Sequence, residues 1–275
     1  MNFGRIDLDG VGSPAGIAKR IHELAPDLPA KFDITALCTA LDIVSVTETD
    51  ASGFEAALIM DVNGASGSIL LASGRRPERH RFSIGHELGH FLIEGHAPRP
   101  GERHGCSPNH FHLQDTREKD RRRRIEAEAN RFAGQLLMPP SKLRRLMTAR
   151  EPNLGEIVSL AEEFGVSKEA MARGYVETSR HTLAAIVTRD RRVERIYRLP
   201  DVFPWIEPGR GAEVPFDSIA ADDPPAARGI SEIVECDPDV WLSENAARGV
   251  AVLTEQIMWQ SQGYAMVLLH ADLRD

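Results

Sequence analysis

The pentapeptide His86-Glu87-Leu88-Gly89-His90 constrains this chain more than any other feature of its sequence. Its two histidines can act together only on a helix, where i and i+4 lie one turn apart on one face; in a strand the same spacing would part them by about 13 Å. The surrounding RFSIGHELGHFLIEGH has the helical period, with Phe82, Leu88 and Leu92 spaced to bury one side and Gly95 placed to end it. Two imidazoles one turn apart can bind one zinc ion. Glu87 then lies beside that face, where it can take a proton from water activated by the cation and pass it to a leaving amine.

Catalytic zinc normally has three protein ligands and one open position, so a third donor is required. A long helix offers it. This helix is expected to begin near Asp115, with Asp115 and Glu118 as a capping pair, and to end at Met138-Pro139-Pro140. In IEAEANRFAGQLLMPP the apolar stripe is Ile125, Ala129, Phe132 and Leu136, while Glu126 and Asn130 sit one turn apart on a neighbouring face. Glu126 is therefore the expected third ligand, and Asn130 is placed to orient a ligand histidine by a hydrogen bond. The competing assignment makes Glu128 the ligand and leaves Glu126 in solvent.

RFSIGHELGHFL, followed by EAEANRFAGQLLMP, resembles the ImmA/IrrE family of bacterial and phage metallopeptidases, whose pattern joins HExxH to ExxAN and a terminating LLMP. The resemblance covers roughly residues 30 to 180. It implies His86, His90 and Glu126 as ligands of one Zn2+ per chain, Glu87 as general base, and a zincin-like fold with a short sheet above the active helix. It also implies an endopeptidase that cuts a helix-turn-helix repressor and so releases stress-response or mobile-element genes. The insertion between the two motif helices, with His96, His104, Cys106, His110 and His112, departs from the compact form of the family. It reads as a polar flap in which one histidine, not assigned by the sequence, stabilises an oxyanion; a second metal site, or a thiolate plugging the first, is the competing reading.

Around these motifs, Ile17, Ile21 and Leu24 recur at helical spacing, and Asp33 can cap ITALCTAL. IVSVT, EAALIMDV and GSILLA read as strands, two of them flanking an Asn63-Gly64 turn, which suggests a small antiparallel sheet. LGEIVSLAEEF and SKEAMARGYV read as two helices joined at Gly165-Val166. Beyond residue 180, TLAAIVT and VERIYRL look like strands, 201–225 a Pro-rich connection, and AVLTEQIMWQ-SQG-YAMVLLH a long hairpin, with Trp241, Trp259 and Tyr264 as core residues. The expected class is α+β. Residues 1–180 form a zincin-like metallopeptidase domain with helix-turn-helix-like helices over 154–177. Residues 181–275 follow as a small α/β domain, for which the resemblance to longer members of the family implies a GAF-like sensor taking a small-molecule or protein signal.

Composition excludes several alternatives. The longest apolar run, Ala265 to Leu269, is far short of a membrane span, and the opening MNFGRIDLDG lacks a secretory h-region. Three cysteines leave an odd thiol, which fits a reducing cytoplasm. The formal charge is -8, of which residues 181–275 carry -7, so that region repels phosphates. A DNA-binding regulator using 154–177 is the rival function. However, residues 148–180 set Arg150, Lys168, Arg173 and Arg180 against six glutamates, which favours a packing module and gives no reason to expect nucleic acid as a partner. Arg121 to Arg124 spread around their helix and read as a solvated, salt-bridged segment. The expected partner is a protein substrate, taken as an extended strand along the sheet edge.

Overall fold

The computed structural model describes residues 1–50, 53–96, 121–223 and 229–274. It divides into two compact units, residues 1–142 with 163–167, and residues 143–162 with 168–275.

In the first unit, α1 (Pro14–Leu24) starts on Ser13, whose Oγ accepts the Gly16 amide, and α2 (Ile34–Ala40) on Asp33, which accepts from Thr35 and Ala36. Three strands follow, β1 (Ile43–Thr49), β2 (Ala56–Met60) and β3 (Gly67–Ala72), then α3 (Pro77–Leu92) and α4 (Arg121–Leu137). The sheet order is β1-β3-β2, and the sheet is mixed, not antiparallel as expected. Asn63-Gly64 does turn β2 back antiparallel onto β3, with Gly64 at φ +65° and Asp61 accepting the Ala65 amide. β3, however, enters between β2 and β1, and so meets β1 running the same way, with Val46 opposite Ile69. Alternation then buries Ala56, Leu58, Ile69 and Leu71 on one face and leaves Ile59 out.

α3 is buried along Ser83–Phe91, and the expected one-sided pattern is displaced. Leu88 is in the core, while Phe82 and Leu92 are only half-buried and Phe91 takes an inner position. A helix covered by β2 and β3 on one side and by α2 and α4 on others has no solvent stripe for the period to mark. On α4 the expected stripe of Ile125, Ala129, Phe132 and Leu136 is buried throughout. The proposed capping pair Asp115 and Glu118 lies outside the described residues.

After α5 (Pro140–Leu146), the second unit holds α6 (Leu154–Phe164) and α7 (Lys168–Thr178) ahead of five strands: β4 (Leu183–Arg189), β5 (Arg192–Arg198), β6 (Val234–Cys236), β7 (Val250–Trp259) and β8 (Tyr264–Leu273). Their order is β5-β4-β8-β7-β6, every pairing antiparallel. The expected α/β class is corrected to α+β here, because every strand pairing among the described residues of this unit is antiparallel, whereas an α/β sheet sets its strands parallel across crossover helices. One face carries a core of Ile186, Val193, Ile257, Val267, Phe203 and Trp241. Glu255 on β7, also buried, accepts from Trp241 Nε1, Ser218 Oγ and the Ile219 amide, so its desolvation is offset by three donors. Trp241 is thus a core residue, Trp259 packs partly against that core, and Tyr264 is half-buried under the Arg189 guanidinium.

The boundary expected near residue 180 falls inside the second compact unit, which takes in residues 143–162 and 168–275. α7 buries Met171, Ala172, Tyr175 and Val176 and packs on β4 and β5, with Glu169 bonded to Tyr197 Oη at 2.5 Å and to Arg195 Nη2 at 2.9 Å. At the start of α6 the Leu154 amide donates to Gln256 Oε1. These helices therefore belong with the C-terminal sheet, whose β4 is buried on both faces from Leu183 to Thr188.

The β7–β8 hairpin turns where expected. Gly263 sits at φ +74°, and a Cβ there would lie 2.0 Å from Asp190 Oδ1. Gly263→Ala is expected to cost about 1–3 kcal/mol through left-handed strain and this clash. Urea denaturation of the full chain should show the lowered midpoint.

Candidate metal centre

Small residues let α3 and α4 meet closely. A Cβ on Gly89 would lie 2.9 Å from Phe132 Cδ1 and 3.3 Å from Ala129 Cα, and one on Gly85 would lie 3.4 Å from Ala133 Cβ. Gly85 and Gly89 are one turn apart, as are Ala129 and Ala133, so two rows of small residues face each other. The same registry brings His86 and His90 of α3 against Glu126 and Asn130 of α4. The sequence reading overlooked these rows, although the i, i+4 spacing of small residues in both motif helices was a usable signal.

His86, His90 and Glu126 offer ligand atoms that all lie within 4.8 Å of one another. His86 Nε2 is 3.0 Å from His90 Nε2 and 3.3 Å from Glu126 Oε2, and His90 Nε2 is 3.7 Å from Glu126 Oε1. A tetrahedral ion with bonds of about 2.05 Å would hold its donors roughly 3.3 Å apart, so this trio has the spacing of three ligands around one cation. Asn130 Oδ1 lies 3.0 Å from His86 Nδ1. A carbonyl oxygen only accepts, so Nδ1 carries the proton and Nε2 turns its lone pair inward.

Both histidines and Glu87 are buried. Burial alone would raise the Glu126 carboxyl, but hydrogen bonds and charge from His86 and His90 outweigh it and hold the group well below the usual carboxylate range. Glu126 is therefore an anion, and with His86 and His90 it makes a donor set of two nitrogens and one oxygen that suits zinc and leaves a fourth position for water or substrate. Glu87, one residue on from His86, projects about 100° around the same helix, within the same buried stretch of α3.

Glu128 stands elsewhere. Its Oε2 accepts from His96 Nε2 at 2.9 Å, and its Oε1 lies 3.7 Å from Arg124. Arg121 donates to Gly95 O, so the arginine run is partly spent on the end of the α3 segment and on α4 itself. Burial pushes the His96 imidazole down to about 4, against the pull of Glu128. His104, Cys106, His110 and His112 lie outside the described residues. Metal content per chain is expected to be about one in the wild type and in Glu128→Ala, and to fall to background in His86→Ala and Glu126→Ala; elemental analysis of the purified proteins reads it.

An HExxH helix with a glutamate from a second helix defines a metallopeptidase class of site. Residues 42–174 match the model of the Peptidase_M78 family, described as the IrrE N-terminal-like domain. No curated protein matches the chain significantly. Among solved structures it is similar to a Mycobacterium tuberculosis transcriptional regulator, at 16% identity and a TM-score of 0.50, over 94% of this chain and 75% of that one. That likeness concerns the fold alone. Among the described residues no helix is long and apolar enough to cross a membrane.

Within the second unit an open groove of about 530 Å³ is lined by Arg150, Glu151, Asn153, Glu232, Ile233 and Gln256 among others. Its lining is largely polar.

Proposed function

We propose that this chain is a cytoplasmic zinc endopeptidase that cleaves a helix-turn-helix repressor. The observation that carries the reading is the convergence of His86, His90 and Glu126 in a buried site that also holds Glu87. When bound, zinc supplies a Lewis acid for the scissile carbonyl and for water. Glu87 takes the proton of the attacking water and delivers it to the leaving nitrogen. Asn130 keeps His86 in the tautomer that can ligate, and Glu126 adds the negative charge that holds a dication. The substrate strand adds along the edge of β2, an outer strand of its sheet that packs against α3.

The DNA-binding alternative finds less support. α7, which would be the recognition helix, spends Met171, Ala172, Tyr175 and Val176 on burial, and its Arg173 pairs with Glu177 at 2.7 Å. The second unit is the candidate receiver of a small-molecule or protein signal. Labelling of new N-termini in cells producing the wild type, compared with cells producing Glu87→Gln, tests the target. New termini within a helix-turn-helix repressor, absent with the variant, are the expected outcome; new termini confined to other proteins would reject the repressor.

A further inference from the structure

His96 is buried beside the metal donors without being one of them. Its ring lies 5.2 Å from the His90 ring, centroid to centroid, yet it falls outside the convergent group of His86, His90 and Glu126. Its Nε2 is committed to Glu128 at 2.9 Å, while its buried Nδ1 has no hydrogen-bond partner among the described residues. An acceptor left unmade in the interior is costly, and such groups persist where something else completes them. A carboxylate only accepts, so Glu128 fixes the proton on Nε2 and leaves a lone pair on Nδ1. A peptide substrate presents backbone N–H groups beside its scissile carbonyl, and these are the donors such an atom can take.

We propose that His96, held in place by Glu128, is a substrate-binding residue whose Nδ1 accepts the backbone N–H of the peptide bond being cut. The assignment rests on the peptidase reading above. It makes His96 a reader of the peptide backbone, and therefore indifferent to the flanking side chains. Of the insertion histidines it is the one among the described residues, and as an acceptor it is given a role distinct from stabilising an oxyanion.

The test uses two inhibitors that mimic the tetrahedral state and differ at one atom, a peptidyl phosphonamidate with P–NH and its phosphonate ester with P–O. The zinc-loaded wild type is expected to bind the P–NH compound roughly tenfold more tightly, the effect of one hydrogen bond gained against one acceptor left unmade. His96→Ala should bind the two equally and keep its zinc, measured by calorimetry and elemental analysis. Glu128→Gln, which can still accept from Nε2, should retain most of the preference. Equal binding of both compounds by the wild type, or an unchanged preference in His96→Ala, would overturn the role of His96 while leaving the peptidase reading intact. Failure of the zinc-loaded wild type to bind either compound would overturn the peptidase reading and the proposal with it.

Discussion

Glu87→Gln is expected to lower peptide-bond hydrolysis by roughly 10²- to 10⁴-fold while the protein keeps about one metal ion per chain. The substitution preserves the volume of a side chain buried in α3, so packing around it is little disturbed. What it removes is the only proton-accepting carboxylate of the HExxH motif. Glu126, the other carboxylate of the site, is engaged by His86 and His90 and cannot take over. Parallel measurement of target cleavage and of bound metal checks both halves of this expectation. Full activity in a metal-loaded Glu87→Gln protein would remove Glu87 from the mechanism.

Gly89→Val is expected to be as damaging without touching a donor. The added side chain would begin 2.9 Å from Phe132 and 3.3 Å from the Ala129 backbone, so α3 and α4 must separate. Overpacking of this kind costs about 1–3 kcal/mol of stability. The metal centre suffers more, because His86 and His90 stand on one helix and Glu126 on the other, and a shift near 1 Å in such a constellation costs about 10²-fold in rate. Gly85→Ala is the control: its new methyl would meet Ala133 at 3.4 Å, an ordinary contact, and alanine favours the helix by up to about 1 kcal/mol. Thermal denaturation and zinc titration of the two variants should diverge, with Gly89→Val lower in both and Gly85→Ala close to the wild type.

The helices and the grouping of the site residues were legible from residue type and spacing. His86 and His90 announce themselves because a one-turn interval of imidazoles has few structural uses, and Glu126 because a carboxylate beside the stripe Ile125, Ala129, Phe132 and Leu136 must face a neighbour. The direction of β1 was not legible. Nothing in IVSVT distinguishes a parallel from an antiparallel partner, since that depends on β3 inserting between β1 and β2. The grouping of α6 and α7 with the C-terminal sheet was hidden for a related reason. Their apolar faces, Met171 and Tyr175 among them, declare that they are covered without declaring by what. Long-range pairs such as Glu169 with Arg195, or His96 with Glu128, have no local signature at all.

The facing rows of Gly85 and Gly89 with Ala129 and Ala133 also separate two design problems that usually travel together. Among the described residues the registry of the donors is set by helix against helix. Lengthening a connection costs little, about 0.6 kcal/mol for each doubling. A connection between two helices registered in this way can change in length at small thermodynamic penalty while the donors keep their places. A scaffold built this way can be refitted for new substrates by editing one segment, with its engine left untouched.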